Sequence, residues 1–90
     1  MEVEKQLTIV NRLGLHARAA GLFRRTAAGF KADIQVIRGT VTANAKSLLG
    51  LMALEASQGT DLLVRARGVD ADSAVAALAG LVADKFGEKE

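Results

Sequence analysis

The chain has 90 residues, with 12 Lys or Arg, 10 Asp or Glu, one His, no Cys and no Pro. Half of it is hydrophobic, which excludes a disordered chain and allows one domain with a modest core. The absence of Cys excludes disulfides and thiolate metal sites, and no apolar run reaches the roughly 18 residues that a membrane span needs.

From Val3 to Val10 an irregular alternation, with Leu7 and Ile9 on one side, predicts a strand. Asn11 to Gly14 is the turn that follows. From Ala17 to Ala28 the period becomes helical: Ala20, Phe23, Ala27 and Phe30 share a stripe with Leu22 beside it. Gly29 is placed to end this helix in the left-handed conformation. Ala32 to Ile37 alternates again, and Gly39 permits a tight reversal into a short strand, Val41 to Ala43, so the two form a hairpin. Ser47 is placed as the N-cap of an apolar helix from Leu48 to Ala56. Leu62 to Arg67 is a strand with Leu62, Val64 and Ala66 inward and Leu63, Arg65 and Arg67 outward. Gly68 breaks it. Asp70 is the next candidate N-cap, before a stripe of Ala74, Val75, Leu78, Leu81, Val82 and Phe86. The order β-α-β-β-α-β-α predicts a two-layer α+β open-faced sandwich in a single domain over residues 1–90, with helices on one sheet face and water on the other.

The only histidine, His16, falls where the first strand turns into the first helix, two residues before Arg18. An imidazole is a nucleophile near neutral pH. The first N–H groups of a helix have no intrahelical partner and can cradle an anion, here those of Ala17, Arg18 and Ala19. A guanidinium at Arg18 can neutralise phosphoryl oxygens during a transfer. Gly14 lets the backbone turn before the ring. No carboxylate lies within the motif, so no Ser-His-Asp arrangement is expected there. A lone His without Cys makes a poor metal site, and no cofactor is implied. The blander alternative is a histidine that merely caps the helix or packs in a turn.

Gly14-Leu15-His16-Ala17-Arg18 resembles the active-site motif of the phosphocarrier protein HPr family of the bacterial phosphoenolpyruvate-dependent phosphotransferase system. Asn44-Ala45-Lys46-Ser47-Leu48-Leu49-Gly50-Leu51-Met52 resembles that family's second signature, at the matching separation, and the resemblance covers essentially the whole chain. It implies a four-stranded antiparallel sheet with three helices on one face. It also implies that His16 accepts a phosphoryl group on Nδ1 from enzyme I and donates it to a histidine of an enzyme IIA. Leu13 in Asn11-Arg12-Leu13-Gly14 is closer to the nitrogen-related branch than to the sugar-transport branch. Where the family usually has proline after the arginine this chain has Ala19, which leaves the first turn less rigid and adds an N–H. Transfer is expected to survive that change.

Ser47 is accounted for as a cap worth about 1 kcal/mol. The resemblance adds regulatory phosphorylation there by HPr kinase/phosphorylase. Leu51 and Leu54 can face the core, whereas Leu48, Leu49 and Met52 cannot all do so, which predicts an apolar contact patch beside His16. Arg12, Arg18, Arg24 and Arg25 carry no acidic residue among them; Arg18, Arg24 and Arg25 would rim the patch and steer acidic protein partners. No aromatic residue stands among these arginines to stack bases, which disfavours nucleic acid. The N-terminus lacks the basic-then-apolar order of a signal peptide, so a cytoplasmic protein is expected, and nothing in the sequence suggests more than a monomer. The rival reading is a non-catalytic regulatory module on the same fold, binding partners through Leu48, Leu49 and Met52 with His16 unmodified.

Overall fold

The alternating segments pair into one antiparallel sheet. The computed structural model describes all 90 residues. Its strands are β1 (Glu2–Thr8), β2 (Asp33–Arg38), β3 (Val41–Asn44) and β4 (Asp61–Arg67), and its helices are α1 (Ala17–Ala28), α2 (Leu48–Ala53) and α3 (Ala71–Ala83), followed by a short 3-10 turn at Lys85–Gly87. The spatial order is β1-β4-β2-β3, with every neighbouring pair antiparallel. This is the predicted open-faced sandwich. Leu7, Leu62, Val64, Ala66, Ile34, Val36 and Ala43 point from the sheet into one buried cluster with Ala20, Phe23 and Ala27 of α1 and Ala74, Val75, Leu78 and Val82 of α3.

The other sheet face carries charge. Glu4 lies opposite Arg65 and Glu2 opposite Arg67 in the β1–β4 register, and both pairs close as ion pairs. The predicted outward placement of Arg65 and Arg67 therefore holds.

Several local details differ from the sequence reading. The first strand ends at Thr8, although Ile9 stays buried, because Ile9 turns its N–H to Thr60 (2.9 Å) and its carbonyl to Gly59 (2.7 Å) instead of to a strand partner. Gly29 closes α1 in the right-handed region (φ −74°), since the chain makes one more tight turn, Phe30 N–H to Ala27 O, before leaving. The second helix stops at Ala53 instead of Ala56, because Glu55 adopts φ 50° and reverses the chain. Asp70 precedes α3 but does not cap it. Its carboxylate accepts from the N–H groups of Lys31 (2.8 Å) and Ala32 (2.9 Å), drawn there by the close approach of Gly68 to Ala32.

Phe86 is buried as its stripe predicted, yet it lies outside the helix. Lys85 (φ 58°) and Phe86 (φ 56°) both take left-handed backbone, which folds the ring back into the core and aims the residues after it at the start of α1.

Candidate functional site

The loop before α1 is held from three sides. Asn11 is fully buried, and its Nδ2 donates to Gly14 O and to Glu88 Oε1, both at 2.9 Å. Gly14 has φ 67°, and a Cβ there would stand 2.6 Å from Ala56 O, so only glycine lets the loop lie this close to the segment after α2. Leu15 N–H then donates to Ala56 O at 2.8 Å and the Leu15 side chain is buried. These contacts leave little freedom for the next residue.

That residue is His16, the N-cap of α1, in extended backbone (φ −73°, ψ 177°). Its carbonyl accepts the first helical bond, from Ala20 N–H at 2.8 Å, and its side chain does not cap. The N–H groups of Ala17, Arg18 and Ala19 therefore open the helix without a protein acceptor, at the positive end of its dipole. The blander capping role for the ring is not what the structure has.

The ring is partly exposed, with 28% of its side-chain surface accessible. Nε2 lies 2.5 Å from Glu88 Oε2. No protein group bonds Nδ1, and it is not among the buried unpartnered polar atoms, of which Asn11 Oδ1 is the only one. Arg18 donates from one terminal nitrogen to the same Glu88 oxygen (3.0 Å) and to Phe86 O (3.1 Å), with its side chain more than half exposed. Glu88, hydrogen-bonded by His16 and then by Asn11, has its carboxyl pKa lowered and is ionised at neutral pH. Arg12 completes the contact between the loop and residues 88–90, donating from its backbone N–H to Glu90 O and from its side chain to Glu90 Oε2.

The structure brings His16 and Arg18 together on one oxygen, Glu88 Oε2. Glu88 and Asn11 were missed. A carboxylate 72 residues from the histidine leaves no local pattern, and the available signal was the core stripe running on to Phe86, two residues short of Glu88.

Ser47 is the N-cap of α2, its Oγ accepting from Gly50 N–H at 3.1 Å. Leu51 and Leu54 are buried, while Leu48, Leu49 (80% exposed) and Met52 face out. Arg24 is half-buried and Arg25 exposed, and neither is ion-paired.

Residues 3–84 match the family model PTS-HPr, described as the PTS HPr component phosphorylation site. The chain is 44% identical over 87 residues to phosphocarrier protein NPr of Shewanella violacea, covering 97% of this chain and 96% of that one. It is 40% identical over 88 residues to phosphocarrier protein HPr of Neisseria meningitidis serogroup A, covering 98% and 99%. Among solved structures it is similar to HPr-C-His of Thermoanaerobacter tengcongensis, with a TM-score of 0.94 at 42% identity, covering 98% and 99%.

Proposed function

The chain belongs to the HPr family of phosphocarrier proteins of the phosphotransferase system, and on that premise we propose that His16 takes a phosphoryl group from enzyme I and passes it to a histidine of an enzyme IIA. The observation that carries this reading is the partly exposed His16 ring at the mouth of α1, where the first three N–H groups of the helix have no acceptor.

The step is a displacement at phosphorus. A lone pair on a His16 ring nitrogen forms the N–P bond as the bond from phosphorus to the donor breaks, its electron pair leaving with the donor. The phosphoryl oxygens carry charge through this exchange. N–H groups of Ala17 and Arg18 donate hydrogen bonds to those oxygens at the helix start, and the Arg18 guanidinium swings from Glu88 and Phe86 O to neutralise their charge. Ala19, lacking the usual proline ring, adds an N–H to the first turn, but the residue is fully buried, so the exposed donors are those of Ala17 and Arg18. Return transfer runs the same path in reverse, so the cradle must hold the anion without trapping it. Weak contacts from exposed donors suit that requirement.

Docking would use Leu48, Leu49 and Met52 with Arg18, Arg24 and Arg25 around them, because these apolar side chains are exposed on a helix packed beside α1. Ser47 would be a second, regulatory phosphorylation site for HPr kinase/phosphorylase, adding negative charge next to that patch. The 90 residues would act as one monomeric phosphocarrier domain in the cytoplasm, without cofactor, serving sugar transport or, by the likeness to NPr, nitrogen regulation.

The test is direct. Enzyme I and phosphoenolpyruvate should place an acid-labile, base-stable phosphate on the protein, lost in His16→Ala. Leu49→Asp should weaken labelling by raising the KM for the chain, with its thermal stability unchanged. Undiminished labelling of His16→Ala refutes the site.

A further inference from the structure

Resting on that reading, we propose that Glu88 is the positioning residue of the reaction: it holds the His16 proton on Nε2, so that Nδ1 presents the lone pair to phosphorus, and it balances the positive charge the ring gains on phosphorylation.

Three observations carry this. Glu88 Oε2 lies 2.5 Å from His16 Nε2, whereas Nδ1 has no protein partner. A neutral imidazole facing a carboxylate must put its proton on the nitrogen that faces it, because two acceptors cannot share a contact that short. The carboxylate is itself fixed, since its other oxygen takes a hydrogen bond from Asn11 Nδ2 at 2.9 Å and Asn11 is fully buried. The Glu88 side chain is only 16% exposed, so water competes poorly for its oxygens.

The consequences follow for both halves of the cycle. Attack by Nδ1 converts the neutral ring into an N-phosphoryl imidazolium whose remaining N–H is the one on Nε2. No proton has to move, because it already lies between Nε2 and Glu88. The new positive charge stands against an ionised carboxylate. When Arg18 turns toward the phosphoryl oxygens, Glu88 keeps the ring as its partner. On transfer onward the N–P bond breaks, its electron pair returns to Nδ1, and the neutral ring with its proton on Nε2 is restored.

The experiment needs no protein partner. Two-bond proton–nitrogen correlation spectra of the ring, recorded above pH 8, should show a single tautomer protonated at Nε2. In Glu88→Ala the nitrogen shifts should move toward the two-tautomer average of an unconstrained imidazole, while backbone amide spectra away from residues 11–18 and 84–90 stay put. With phosphoramidate as donor, ammonia leaves as the Nδ1–P bond forms, and uptake by Glu88→Ala should slow at least threefold. A native ring protonated at Nδ1, or a variant ring with native nitrogen shifts, overturns the proposal. The carrier reading fails separately: a native ring that neither phosphoramidate nor enzyme I phosphorylates would sink it, whatever the tautomer.

Discussion

At the residue scale the site depends on backbone more than on side-chain chemistry. His16 is useful because Gly14 lets the preceding loop lie against Ala56 and Ser57. Gly14→Ala brings a Cβ within 2.6 Å of a carbonyl oxygen and forces a side chain to keep φ 67°, so it should cost about 2 kcal/mol or more. The urea midpoint is the measurement. Phosphate uptake by the folded fraction should also fall, because Leu15 can no longer bond Ala56 while His16 stays in place. A Gly14→Ala protein of native stability would contradict the geometry. The need for glycine was legible in the sequence as a turn, but the crowding that makes glycine irreplaceable was not, since Ala56 is 42 positions away in the chain.

At the element scale, two residues predicted as caps behave differently. Ser47 caps α2 through a hydrogen bond to Gly50 N–H, and Ser47→Ala should lower stability by about 1 kcal/mol in chemical denaturation. Asp70 stands at the same position before α3 but ties down the N–H groups of Lys31 and Ala32, a contact between two loops. Those bonds, with Lys31 first, lower its carboxyl pKa. A carboxyl lowered in the folded state stabilises above its unfolded pKa of about 4, and that contribution disappears as pH falls through the folded value. Asp70→Asn should therefore lower the denaturation midpoint at pH 7 and leave it closer to wild type at pH 3. Equal losses at both values would show that the carboxylate charge plays no part. Serine and aspartate are equally good caps in isolation. The choice between capping and bridging was made by the close packing of Gly68 on Ala32.

At the scale of the whole molecule, the sheet order brings the two ends of the chain's chemistry together. β1 and β4 pair side by side, α3 packs over both, and the turn after α3 returns Phe86 to the core and Glu88 to His16. Phe86 is the anchor of that return, only 1% exposed. Phe86→Ala should cost roughly 3–5 kcal/mol, a large share of the roughly 5–15 kcal/mol typical of a domain, and lower Tm by about 12 °C or more. In the protein that remains folded, the His16 nitrogen shifts should move as they do in Glu88→Ala, because the carboxylate is no longer held. Calorimetry and ring spectra check the two effects independently, and a Phe86→Ala protein with native ring shifts would mean that Glu88 is held by its polar contacts alone.

The sequence by itself determined the element order, the inward set of residues and the place of His16 at the start of a helix. Those features follow from local periodicity and turn chemistry, which a short stretch of chain carries within itself. Only the tertiary structure decided that a carboxylate meets the ring, that Asp70 bridges loops, and that Phe86 is buried from outside its helix. Each of these joins residues dozens of positions apart, or turns on a backbone reversal that packing imposes, and no local pattern encodes such a meeting.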